Sequence, residues 1–185
     1  MLLHGYEQYG RELVTKLRGM FSFVIWDKNS KTLFGARDMF GIKPLYYAEM
    51  DGTFMYGSEI KAFLYHPSFK KELNEQALAH YLSFQYSPLE ETFFKGVYKL
   101  PPAHSFTYKD GVFLKERYFK PDFKAEEGSF EEFTDKTEAA VAESVAAHKI
   151  ADVEVGSFLS SGIDSSYIAS AAKVDKTFTV GFAGE

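Results

Sequence analysis

Residues 158–166 read Phe-Leu-Ser-Ser-Gly-Ile-Asp-Ser-Ser. They join an apolar run, residues 153–159, to a helical pattern that begins at Ile163. At a strand-to-helix junction these residue types can do chemistry. The first backbone N–H groups of a helix have no partner inside it, and the helix dipole favours negative charge there. Anions, phosphates above all, bind at such places. Gly162 would let backbone approach a ligand with no Cβ in the way. Ser160, Ser161, Ser165 and Ser166 supply hydroxyl donors. Asp164 would repel a bare phosphate. It makes sense if it holds Mg²⁺, which takes one or two carboxylates together with phosphate oxygens. Serine and aspartate also cap and turn chains with no ligand at all. Spacing by itself leaves both readings open. Two other phosphate signatures, GxxxxGK and GxGxxG, are absent, as is the GxSxG nucleophile elbow.

The elements around this turn follow from periodicity. Residues 153–159 are expected as a strand, 163–173 as a helix and 177–182 as a second strand. Together they make one βαβ crossover, the beginning of a parallel α/β sheet. Before it, Ser129 and Glu132 fit a capping box that opens a helix running to about His148. Residues 119–128 are polar, contain Pro121 and Gly128, and read as a linker.

The first 118 residues have a different period. Residues 2–17 read as a helix with apolar Leu13, Val14 and Leu17 but no cap before it. Residues 20–26 are apolar apart from Ser22, like a strand buried on both faces. The turn 27–30 joins that strand to a partner at 32–37. Asp51-Gly52 joins strands at 45–47 and 53–57, and Asp110-Gly111 joins strands at 103–108 and 112–118. Asn74 is placed to cap a helix running to about Gln85. This half is expected to be antiparallel β with edge helices.

Composition narrows the class. With 185 residues, 45% of them hydrophobic, the chain has room for one or two domains and a core. A net charge of −5 without a basic run argues against a nucleic-acid surface. The 17% aromatic content is read as core rather than as a base-stacking platform. No apolar stretch approaches the ~18 residues of a membrane helix, and no signal peptide is visible. A cytoplasmic location is the default expectation. There is no cysteine, so disulfides, thiolate nucleophiles and cysteine metal sites are excluded from this sequence together. The five histidines, at 4, 66, 80, 104 and 148, lack metal-ligand spacing. Arg37 and Asp38 are read as structural or turn residues, Glu59 and Lys61 as interface braces, and Met20 as core or the wall of an apolar passage.

The turn resembles the pyrophosphate loop of the N-type ATP pyrophosphatases, whose usual form is Ser-Gly-Gly-x-Asp-Ser. Ser160, Gly162, Asp164 and Ser165 match it. Ser161 departs, standing where the first glycine is usual. The segments LRGMFSFVIWD, ARDMFGIKPLYY, YGSEIKA, GVYKLPPAHSFTY and FTVGF are similar, in order, to glutamine-dependent asparagine synthetase. The resemblance implies an α+β antiparallel part, residues 1–118, from the C-terminal portion of an N-terminal-nucleophile glutaminase domain. Residues 129–185 would then begin an α/β parallel-sheet ATP pyrophosphatase domain. It implies ATP and Mg as cofactors, with ATP, aspartate and glutamine as the small-molecule partners and no nucleic acid or membrane. A homodimer is compatible with it.

By family position, Leu159 and Val180 would border the adenine nucleotide. Ser160, Ser161, Gly162, Asp164, Ser165 and Ser166 would hold the pyrophosphate end, with Asp164 reaching Mg through it. The family's glutaminase nucleophile is an N-terminal cysteine acting by nucleophilic catalysis, so no catalytic residue of that half is expected in this chain. An internal piece of a two-domain enzyme is the expectation. Two other outcomes stay open: a relative such as a β-lactam synthetase with another acceptor, and a truncated product that binds a nucleotide without turnover.

Overall fold

Turn chemistry and alternation set the strands of the N-terminal half. The computed structural model describes residues 1–181, and the chain divides into two units, Met1–Asp122 and Phe123–Glu185. In the first unit the Asp27 carboxylate accepts hydrogen bonds from the N–H groups of Asn29 (2.9 Å) and Ser30 (3.2 Å). That turn joins β1, Ser22–Asp27, to β2, Thr32–Arg37, in antiparallel register with Val24 opposite Gly35. Asp51 (φ 49°) and Gly52 (φ 72°) close the hairpin of β3, Tyr46–Met50, and β4, Thr53–Gly57. Asp110-Gly111 does the same for His104–Lys109 and Val112–Arg117. A short strand, Val97–Lys99, pairs with β3. In chain order it is β5, which makes the last hairpin β6 and β7.

Two sheets result, ordered β1-β2-β6-β7 and β4-β3-β5. Their facing sides bury Leu45, Leu100 and Phe106, with Tyr47, Phe54, Tyr108 and Phe113 packed against them. The rings of Phe54 and Tyr108 stack with centroids 4.2 Å apart. On the other side of the first sheet Phe34 and Ala36 are fully buried with Val14, under Tyr6 and Phe23.

The N-terminal half differs from expectation in three places. The first helix is not continuous. Its α part, α1, spans Leu2–Tyr9, and Gly10, at φ 57°, turns the chain into a 3₁₀ segment, Gly10–Thr15, that buries Leu13 and Val14. The β1 strand is not buried on both faces. It lies at a sheet edge, Trp26 is half exposed, and only Ile25 is fully buried. Met20, expected in the core or along a passage, is 48% exposed. A continuous apolar run here marks one covered face and an open edge.

The second helix, α2, Glu75–Phe84, is capped as expected, by the Asn74 side chain accepting from the Ala77 N–H (3.2 Å). In the second unit α3, Phe130–His148, starts at Ser129 with both arms of the capping box in place. Ser129 Oγ accepts from the Glu132 N–H, and Glu132 accepts from the Ser129 N–H. Then follow β8, Ser157–Phe158, α4, Ile163–Ala172, and β9, Thr177–Phe178. The β8 and β9 strands pair in parallel, as the crossover requires. Both are shorter than expected. Residues 153–156 carry no strand pairing, and the expected end of β9 at Phe182 lies outside the described residues.

Candidate functional site

The parallel pair ends where α4 begins. The Leu159 N–H donates to the Phe178 carbonyl (2.9 Å), and Thr179 Oγ1 donates to the Leu159 carbonyl (2.8 Å). These bonds bring Leu159 and the chain leading to Val180 together at the carboxyl ends of both strands. Open α/β sheets bind ligands there. Leu159 is half buried and Val180 is exposed.

The turn itself is held by its own serines. Ser165 Oγ accepts from the Ser160 N–H (3.2 Å), pairs with Ser160 Oγ (3.1 Å) and donates to the Gly162 carbonyl (3.0 Å). Ser166 Oγ donates to the same carbonyl (2.9 Å). Much of the hydroxyl chemistry read as ligand-directed therefore shapes the turn. Ser161 stands at φ 62°, the left-handed region that its departure from glycine makes costly.

Gly162 is the N-cap of α4 at φ −79° and ψ 156°, a conformation open to any residue. A Cβ there would meet nothing closer than Ser160 Oγ at 3.7 Å. Neither backbone angle nor packing within the chain demands a glycine. Without a side chain it cannot cap, so the first-turn N–H groups of α4 lack the acceptor that Asn74 and Ser129 give α2 and α3. Asp164 lies exposed in that first turn, where its charge suits the dipole. Among the described residues no group of three or more His, Asp or Glu side chains could hold a metal ion. One carboxylate with phosphate oxygens is nevertheless a usual Mg²⁺ set, and Asp164 fits that role.

The Arg37–Asp38 pair is structural, as its sequence context suggested. Asp38 is 1% exposed. Its carboxylate accepts from the N–H groups of Phe40 (3.2 Å), Ile42 (3.0 Å) and Lys43 (2.9 Å). Burial would push this carboxyl up, but those donors outweigh it and hold it below the ordinary carboxylate range. Arg37 donates to the carbonyls of Lys43 (2.7 Å), Leu100 (2.6 Å) and Gly41. Tyr118 donates to the Arg37 carbonyl (2.6 Å), and burial, with Asp38 nearby, pushes its phenol up to about 12. Glu59 and Lys61 form an exposed ion pair with each other.

With this geometry in place, the N-terminal unit reads as a glutamine amidotransferase domain. Residues 1–119 match the family model of that description, and the chain belongs to that family. Residues 136–185 match a second model, described as asparagine synthase. The glutamine-hydrolysing asparagine synthetase 1 of Bacillus subtilis (strain 168) is 43% identical over 98% of this chain and 29% of its own length. A putative glutamine-hydrolysing asparagine synthetase of Mycobacterium bovis is 38% identical, over the whole chain and 30% of its own length. The amidase chry2 of Gibberella zeae is 35% identical over 89% of this chain and 25% of its own length. The chain thus spans under a third of these relatives.

Sequence reasoning missed two features. One is β5, whose pairing residues are too few for period-two alternation to register. The other is a cavity beside Lys99, built from residues of five separate stretches of chain.

Proposed function

We propose that this chain is the junction of a glutamine-dependent asparagine synthetase. In this reading residues 1–118 complete a glutaminase domain, 119–128 link the domains, and 129–185 open an ATP pyrophosphatase domain. ATP adenylylates the aspartate β-carboxylate, pyrophosphate leaves, and ammonia from glutamine displaces AMP. One observation carries the reading. A glutamine amidotransferase match and an asparagine synthase match follow each other in one chain, and the second contains an uncapped strand–turn–helix.

The roles proposed for the turn's residues follow the family resemblance. The free N–H groups of Gly162 to Ser165 would face the departing pyrophosphate. Ser160, Ser161 and Ser166 would line its approach, and Ser165 would fix the turn. Asp164 would hold Mg²⁺ against the phosphate oxygens, while Leu159 and Val180 would border the nucleotide. Among the described residues no helix is long and apolar enough to cross a membrane.

The test is substrate dependence in the full-length protein. Asparagine, AMP and pyrophosphate should form only when ATP, Mg²⁺, aspartate and a nitrogen donor are all present. Pyrophosphate release that ignores aspartate but requires another carboxylate would assign a different acceptor. The match to an amidase makes that a live alternative.

A further inference from the structure

A cavity of about 240 Å³ lies in the first unit. Its walls include Tyr46, Tyr81, Phe93 and Phe94, and Lys99 lines it. Lys99 stands on β5 opposite Tyr46, and Arg37 is its charged neighbour. Among the described residues no carboxylate comes within ion-pair distance of Lys99. The guanidinium of Arg37 is turned to the carbonyls of the 41–43 loop and Leu100. Glu91 also touches the cavity. However, it is bridged to Tyr98, the residue stacked on Tyr47, and its charge acts on the Tyr47 phenol.

We propose that this cavity binds a small monocarboxylate with an apolar, aromatic or branched body, the Lys99 ammonium serving as its counterion. The complementarity is simple: a half-buried cation without a partner, and apolar walls around it. An ammonium taken partly out of water gains most from an anion that also excludes water. Burial, with Arg37 nearby, lowers the basicity of this amine, as such a setting requires. The volume falls below the ~300–1,000 Å³ of drug-sized sites, which limits the ligand to about one ring or one branched chain. All the lining residues belong to the first unit, and binding there can be read without turnover.

The experiment is calorimetric titration of the full-length protein with 3-phenylpropanoate, its neutral amide and acetate. We expect saturable binding of 3-phenylpropanoate. The amide should bind at least about tenfold more weakly, a difference of about 1.4 kcal/mol, and acetate should also bind more weakly. Lys99→Met and Lys99→Gln should each reduce 3-phenylpropanoate affinity by a similar factor, and Phe93→Ala should weaken it while leaving acetate unchanged. Saturating ATP, aspartate and glutamine should not displace it. Equal binding of acid and amide, binding untouched by both Lys99 variants, displacement by the substrates, or no saturable binding at millimolar concentrations would overturn the proposal. The comparison of acid with amide uses the unaltered protein, so misfolding of a variant cannot mask the answer.

Discussion

Ser161 is the residue at which the turn departs from the Ser-Gly-Gly-x-Asp-Ser form it resembles, and it is held at φ 62°. A non-glycine residue there costs on the order of 1–2 kcal/mol. Glycine would remove that strain but add chain entropy to the unfolded state. We therefore expect Ser161→Gly to stabilise the second unit by roughly 0.5–1 kcal/mol and Ser161→Ala to give no gain, since alanine keeps the Cβ. Denaturant midpoints of the two variants check this. A stabilised alanine variant would mean that the hydroxyl, not the backbone, is the source of the cost. The residue types of the turn were legible in the sequence. The division of labour among its serines was not. Which hydroxyl reaches a backbone carbonyl depends on the angles at Ser161 and Gly162, and serine is no more frequent where φ is positive than where it is negative.

At the scale of elements, the legible features were local ones. The Asp51-Gly52 and Asp110-Gly111 hairpins, the Asn74 cap and the Ser129–Glu132 box each reside within a few residues, so sequence specifies them. Ser129→Ala should cost about 0.5–2 kcal/mol, visible as loss of α3 helicity by circular dichroism on mild heating. No change would mean that α3 is held by other contacts. What escaped were features set by distant partners: the edge position of β1, the shortness of β8 and β9, and the 38–43 loop wrapped around Asp38. That loop gives a pH dependence. The Asp38 carboxyl is held below its ordinary value of ~3.9 in the folded state. Its stabilisation is thus fully present above that pH and is lost as pH falls through the folded value. Asp38→Asn should cost about 1.5–3 kcal/mol at neutral pH. It should also flatten the fall in stability as pH drops below about 4, as followed by urea unfolding. An unchanged acid slope would show that Asp38 does not carry it.

At the scale of the whole molecule, two units with different strand arrangements share one chain, antiparallel in Met1–Asp122 and parallel in β8 and β9. The change of hydrophobic period after residue 128 made that legible, because alternation and helical spacing are read in windows shorter than a domain. The absence of cysteine has its own consequence. The 185-residue polypeptide should release no ammonia from glutamine. Glutamate formation above background in a purified sample would mean that the first unit works by another nucleophile.

We propose that the turn at residues 160–166 serves the departure of pyrophosphate and not only the geometry of the chain. The most direct measurement compares the two half-reactions of full-length Asp164→Asn: pyrophosphate release with ATP and aspartate, and glutamate release from glutamine. An amide keeps the shape of the carboxylate but loses its charge as a hard ligand for Mg²⁺. Pyrophosphate release should fall by at least about tenfold, with more of the loss in kcat than in KM for ATP if the contact strengthens as the bond breaks. Glutamine hydrolysis should hold near its original rate. Near-normal pyrophosphate release would contradict this role and leave residues 160–166 as a turn that caps and redirects the chain.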